Sequence, residues 1–156
     1  MATASQILGW LKTGFDKNKW TYEEIEGKNT LMSKGYPLDC KLKCFDLICN
    51  CIDDSFTSNA YLRLSADEDC RLKVAEYITR VNYGLRYGCF EMDFRDGEIR
   101  YRHTVDCADM TSLPERSFLQ CVYLPANMFN RYGNGLVAVM HGVKSPEDAI
   151  KETEEN

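Results

Sequence analysis

The topology of this chain can be worked out from one run of residues, Cys89-Phe90-Glu91-Met92-Asp93-Phe94-Arg95-Asp96-Gly97-Glu98-Ile99-Arg100-Tyr101-Arg102-His103-Thr104. Apolar and charged residues alternate on both sides of Asp96-Gly97, and Asp-Gly is a preferred two-residue turn of β-hairpins. With that turn, residues of opposite charge face each other on one side: Glu91 and Arg102, Asp93 and Arg100, Arg95 and Glu98. The other side pairs Phe94 with Ile99, Met92 with Tyr101 and Phe90 with His103. We predict a hairpin in this register, because a slip by one residue would turn charges toward the core. Its charged hairpin face, Glu91, Asp93, Arg100 and Arg102, should lie in solvent.

Helix and strand patterns precede the hairpin. Residues 4–16 carry apolar side chains at three-to-four spacing and predict an amphipathic helix. Four extended segments follow, at 20–26, 29–36, 41–52 and 59–64. The third has apolar residues on both faces, which indicates a central strand.

Two further helices are predicted from capping boxes, in which Ser and Glu three residues apart satisfy each other's backbone N–H groups. The first box is Ser65-Ala66-Asp67-Glu68 and the second is Ser112-Leu113-Pro114-Glu115. Pro125 lies inside the second helical pattern and should kink or split that helix near Leu124. Ser145 should start a short acidic C-terminal helix or tail over residues 145–156.

Composition is typical of a single globular domain. The chain has 156 residues, of which 44% are hydrophobic and 28% charged, and no linker or repeat divides it, so one domain should cover residues 1–156. A net charge of −5 without a basic face argues against nucleic-acid binding. No apolar run reaches the roughly 18 to 20 residues of a membrane span, so no membrane contact is expected. The N-terminus also lacks the basic start of a signal peptide.

Eight cysteines are spread through apolar runs, as buried thiols in a reducing compartment would be, and we predict a cytoplasmic protein. No Cys-x2-Cys pair occurs among them, so neither a metal nor another cofactor is expected. Catalysis would need a thiolate beside a base, and His103 with Cys107 or Cys89 is the candidate pair. A core histidine hydrogen-bonded to backbone is the simpler interpretation of His103. No catalytic residue is therefore predicted.

Three motifs resemble the YbjN family of bacterial proteins. Residues 82–93, Asn-Tyr-Gly-Leu-Arg-Tyr-Gly-Cys-Phe-Glu-Met-Asp, are similar to the family's helix end and first hairpin strand. Residues 96–102, Asp-Gly-Glu-Ile-Arg-Tyr-Arg, resemble its return strand, and residues 142–150 resemble the ending of many members. The cysteine-rich third strand departs from the family pattern, as does Ser65-Ala66 in place of a proline before the second helix.

The resemblance implies an α+β fold like that of type III secretion chaperones, a curved antiparallel sheet with packed helices in the order α-β-β-β-α-β-β-α. The family's label, sensory transduction regulator, names no reaction, so the resemblance implies no catalytic or cofactor-binding residue. We expect a non-enzymatic protein-binding regulator or chaperone-like adaptor of the bacterial cytoplasm. The alternative is a small thiol- or metal-dependent enzyme that uses His103 with a nearby cysteine.

The helices hold more large apolar residues than one small sheet should cover. These residues are Tyr77, Phe118, Val122, Phe129 and Tyr132, and we predict that they form a partner surface. Because small domains with spare aromatic surface commonly pair, we also predict a homodimer that buries helix surface. The alternative is a monomer whose helices are fully used by its own sheet. A protein partner of unknown identity would bind the apolar groove that remains.

Overall fold

The computed structural model describes residues 1–156 and contains one antiparallel sheet of six strands together with four α-helices. The helices are α1 (Ala4–Lys17), α2 (Arg71–Tyr83), α3 (Glu115–Met140) and α4 (Pro146–Glu155). The strands are β1 (Glu23–Ile25), β2 (Thr30–Pro37), β3 (Cys44–Ile52), β4 (Ser55–Ser65), β5 (Cys89–Met92) and β6 (Glu98–Asp106). Their order across the sheet is β1-β2-β3-β4-β6-β5, which makes β1 and β5 the edges.

The predicted α+β class is confirmed. The four extended segments before α2 and the C-terminal helix predicted from the residues are present, whereas the order α-β-β-β-α-β-β-α implied by the resemblance lacks one strand and one helix. Residues 41–43, predicted as the start of the third strand, form a loop because Lys43 has a φ of 72°, a left-handed conformation that a strand does not contain. The fourth strand begins at Ser55 and is longer than the predicted 59–64.

One face of the sheet carries the core. In β3 the odd-numbered residues from Phe45 to Cys51 are buried, whereas the even-numbered ones are not. Phe129 of α3 packs on this core face against Phe45, Phe90 and Tyr101, which belong to three different strands, with ring centroids between 5.6 and 6.4 Å apart. Because α1, α2 and α3 all pack on the core face, the opposite face of the sheet is open.

The hairpin of β5 and β6 forms, but in a register two residues away from the predicted one. The observed pairs are Cys89 with Arg102, Phe90 with Tyr101, Glu91 with Arg100 and Met92 with Ile99. The turn spans residues 94–97, since the Asp93 N–H donates to the Glu98 carbonyl at 2.9 Å and the Gly97 N–H to the Asp93 carbonyl at 2.7 Å. The longer turn brings the Gly97 carbonyl to the Ala66 N–H, 2.8 Å away. A shift by two residues keeps the paired side chains on their predicted faces, but Phe94, predicted to pack opposite Ile99, lies in the turn and is 55% exposed.

Two of the three N-caps predicted from the sequence are wrong, and one is confirmed. Ser65 does not cap a helix because its backbone is the last residue of β4, and a short 3-10 turn at Glu68–Cys70 leads into α2. Ser112 does not cap α3, which starts directly after Pro114 without a side-chain cap. The cap at Ser145 is confirmed, since its hydroxyl accepts the Asp148 N–H at 3.1 Å.

The α3 helix continues through Pro125, so the predicted split does not occur. Asparagines on its surface hold the loop between β2 and β3. Asn130 accepts the N–H of Asp39 at 2.7 Å, and Asn134 accepts that of Lys41 at 3.0 Å. These bonds join the C-terminal half of α3 to the loop that precedes β3.

Candidate functional site

The five residues predicted as a partner surface lie in the core. Tyr77, Phe118, Val122, Phe129 and Tyr132 are each at most 6% exposed. Tyr77 also donates its hydroxyl to the Tyr132 carbonyl at 2.7 Å, which ties α2 to α3. The prediction is therefore corrected: these side chains pack within the chain's own core and form no exposed apolar surface.

The charged hairpin face is present, with different pairs from those predicted. Glu91 accepts a hydrogen bond from Arg102 at 2.5 Å and lies 3.4 Å from the Arg100 guanidinium. Asp93 pairs with Arg95 at 2.7 Å instead of with Arg100, because the two-residue shift moves Asp93 out of the strand and into the turn. The four side chains are between 32% and 43% exposed, and each has a partner of opposite charge on the hairpin, so this face is a set of ion pairs.

Burial disfavours the thiolate form of several cysteines. It raises the pKa of Cys51 and Cys121 to about 12 and raises that of Cys49 well above its usual value. A thiol needs a pKa near or below neutrality to supply a thiolate nucleophile. Only Cys44 and Cys89 are partly exposed, and burial raises the pKa of Cys89 as well.

The candidate pair of His103 and a cysteine is not assembled. Cys89 lies opposite Arg102 and therefore on the open face of the sheet, whereas His103 lies opposite Ser58 on the core face. Cys107 is four residues further along, about 13 Å at strand spacing. No three His, Cys, Asp or Glu side chains come together as metal ligands. Nothing in this arrangement supports the enzyme alternative.

A groove opens between the α2–β5 loop and α3, with a volume of about 350 Å³. We call it the arginine groove. Its lining residues are Gly84, Leu85, Arg86, Tyr87, Tyr101, Leu124, Met128, Arg131, Tyr132 and Glu154. Leu85, Leu124 and Met128 are partly buried and give it apolar walls, and Tyr87 is 49% exposed. This size falls within the range of about 300 to 1,000 Å³ that ligand pockets have.

Local contacts fix the loop side of the arginine groove. The Asn82 amide accepts the Phe90 N–H and donates to the Phe90 carbonyl, both at 2.8 Å, so it ties the end of α2 to β5. Tyr101 donates its hydroxyl to the Tyr87 carbonyl. Gly88 has a φ of 66°, and a Cβ there would lie 2.7 Å from the Tyr101 ring. The loop is thereby held at both ends.

Two arginines of the groove have no partner within the chain. Six of the nine arginines donate hydrogen bonds, either to carboxylates or to carbonyl or hydroxyl oxygens. The three that do not are Arg86, Arg116 and Arg131, and two of these line the arginine groove. The Arg131 guanidinium lies over the Tyr132 ring, 5.3 Å from its centroid. None of the chain's ion pairs involves Arg86, Arg131 or Glu154.

The sequence interpretation did not single out these residues. One face of α3 carries Leu124, Met128 and Arg131 at helical spacing. This pattern, visible in the sequence, could have indicated that the three side chains lie together. Arg86 lies within the motif quoted for the family, but the sequence does not show whether it has an ion-pair partner. Whether it has one depends on which carboxylates lie near it in the folded chain.

No helix of the chain is long and apolar enough to cross a membrane. No protein-family sequence model matches the chain, and neither does any curated protein. A solved structure does match: YbjN from E. coli, described as a candidate transcription regulator, superposes with a TM-score of 0.59 over 86% of this chain and 93% of that one. The two proteins share a fold. Their sequences are 14% identical, so the predicted fold is confirmed and the predicted membership of the family is not.

Proposed function

We propose that this protein is a non-enzymatic regulator that binds a protein partner through the arginine groove. The observation that carries the proposal is the pair of arginines, Arg86 and Arg131, which lack partners in the chain beside the apolar walls of a preformed groove. Arginine, tyrosine and methionine are the residue types enriched in the centres of protein interfaces.

The fold supports this role by analogy. The E. coli YbjN structure is described as that of a candidate regulator, and the motifs at residues 82–93 and 96–102 resemble that family's hairpin. We place this chain with the YbjN-like bacterial regulators, in a function that is either regulatory or chaperone-like. The eight free cysteines, six of them buried, favour the reducing cytoplasm as its location.

Capture of binding proteins from a native lysate tests the role of the groove. Wild type is compared with Met128→Glu, which places a carboxylate on the apolar wall, and with Leu72→Glu. Leu72 is the matched control, because it is 78% exposed near the other end of α2. We expect the same captured protein with wild type and Leu72→Glu and its loss with Met128→Glu, at unchanged melting temperature.

Equal capture by all three proteins would contradict the proposal. If Met128→Glu does not fold, Arg131→Glu replaces it, because that side chain is exposed and its substitution leaves the core intact.

Self-association is a separate question. A homodimer that buries the predicted helix residues is not compatible with their place in the core. Pairing through another surface stays a prediction, and light scattering across a dilution series distinguishes it from a constant mass of 18.0 kDa.

A further inference from the structure

We propose that the arginine groove binds an acidic segment of a partner protein, with apolar side chains against Leu85 and Met128 and carboxylates on Arg86 and Arg131. This inference rests on the proposed function, and it names the chemistry of the partner.

The first argument is the chemistry of the two guanidinium groups. A guanidinium carries five N–H donors in a planar fork that matches a carboxylate. In this chain Arg63 binds Asp46 and Arg95 binds Asp93 in that way, each through two N–H groups. The Arg131 guanidinium lies over the Tyr132 ring, and this contact with the ring uses none of its N–H groups in a hydrogen bond to an oxygen of the chain. The groove therefore offers donors for which the chain has no acceptor.

The second argument is the contrast between the groove and the rest of the chain. The net charge is −5, so an acidic segment is repelled at long range. Fixed charges act over a Debye length of about 8 Å at physiological salt, so local charge decides once the segment is close. Two arginines and one carboxylate, Glu154, line the groove. The protein as a whole repels an acidic segment, so such a segment is attracted only where the two arginines lie. Its binding is therefore directed to the groove and not to the rest of the surface.

The third argument is the apolar wall, which limits the occupant. A free anion would leave Leu85, Leu124 and Met128 uncovered, whereas a segment with leucine-like side chains would bury them. The occupant must combine both features, as amphipathic acidic segments do when they lie in a groove.

Three labelled peptides of about 16 residues, roughly four helical turns, provide the probe. They carry the same leucines at every third or fourth position and differ only at the polar positions, which are Glu, Gln or Lys. Fluorescence anisotropy with the full chain measures the dissociation constant of each peptide. We expect the Glu peptide to bind about tenfold more tightly than the Gln peptide, and the Lys peptide more weakly than both. Raising NaCl from about 0.05 M to about 0.5 M should remove most of this preference.

Variants assign the preference to the groove. Arg86→Gln with Arg131→Gln should abolish the preference for Glu and leave the affinity of the Gln peptide unchanged. Glu154→Gln should strengthen binding of the Glu peptide about two- to threefold, because it removes the only carboxylate of the groove. Arg116→Gln is the matched control, since Arg116 also lacks a partner but lies outside the groove, and it should have no effect.

The proposal is overturned if the Glu peptide shows no binding up to about 1 mM, if Lys and Glu peptides bind alike, or if the preference persists in the double variant. Should Met128→Glu abolish capture of a lysate protein while no acidic preference is found, the proposed function stands and the acidic chemistry fails. Should Met128→Glu change neither capture nor peptide binding, the proposed function itself fails.

Discussion

Gly97 occupies the tightest position of the hairpin turn. Its φ is 78°, and a Cβ there would lie 2.0 Å from the Ala66 carbonyl oxygen, which is backbone and cannot move aside. We expect Gly97→Ala to destabilise the protein by about 3 kcal/mol or more, since backbone strain and a clash add. Chemical denaturation measures the change. Gly27→Ala is the control, because Gly27 has a φ of 74° with open space around its α-carbon, and strain alone should cost about 1 kcal/mol. Equal losses in the two variants would show that Gly97 does not pack on Ala66.

Buried tyrosines make stability depend on alkaline pH. Burial raises the pKa of Tyr36 and Tyr101 to about 12, from about 10 in an unfolded chain. Their contribution is therefore complete below pH 10 and is lost as the pH rises from about 10 to about 12, where only the unfolded chain ionises freely. We expect the melting temperature to fall in that window. Tyr101→Phe should reduce this fall, although it costs about 1 kcal/mol at pH 7 through loss of the bond to the Tyr87 carbonyl. An identical alkaline profile in the variant would contradict the assignment.

At the scale of elements, β5 is an edge strand that one side chain protects. The Asn82 amide occupies both the N–H and the carbonyl of Phe90, the positions where a foreign strand would pair. Asn82→Ala should destabilise the protein by about 2 kcal/mol, because both backbone groups lose their partner. Hydrogen exchange at the Phe90 amide should accelerate in parallel. Asn82→Asp keeps the acceptor and should preserve most of the protection at Phe90, and equal exchange in the two variants would contradict this account.

The hairpin also shows where local sequence stops being sufficient. Its alternation predicted both strands and the faces of the paired residues 89–92 and 99–102, and these predictions are confirmed, whereas Phe94, predicted to face the core opposite Ile99, lies in the turn and is exposed. The Asp96-Gly97 pair predicted a two-residue turn. The observed turn has four residues, and in it the Gly97 carbonyl accepts the Ala66 N–H. A register shifted by two residues still sets Glu91 beside Arg100 and Arg102, so the charges did not discriminate between the two. The deciding contact is tertiary and leaves no local pattern.

At the scale of the whole molecule, the partner surface failed as a prediction because the sheet was expected to be too small to cover the apolar residues of the helices. Six strands, with a β4 of 11 residues, cover them. The arginine groove could not be predicted either. Whether Arg86 and Arg131 find partners depends on the placement of every carboxylate in the folded chain.

Thiol reactivity provides a global test of the core. With a thiol-specific reagent, Cys44 and Cys89 should react first, and the six buried cysteines only at the rate of unfolding. Cys89→Ser should remove one of the two early thiols, and Cys121→Ser neither. A rapid reaction of Cys107 would reopen the enzyme alternative, since it would require an activated thiol near His103.

The asparagine contacts of α3 have a consequence for synthesis of the chain. The bonds from Asn130 to Asp39 and from Asn134 to Lys41 join residues 91 and 93 positions apart in the sequence. A ribosome adds about 5 to 20 residues per second. The interval between the synthesis of β3 and the completion of α3 is therefore roughly 5 to 20 s. During that interval α1 is the only helix already made that can cover the core face of β3, and Phe45, on which Phe129 of α3 packs, lacks that contact. Newborn chains are therefore most vulnerable to aggregation and to thiol oxidation before α3 has emerged, and slowing translation within codons 44–114 should lower the yield of folded protein.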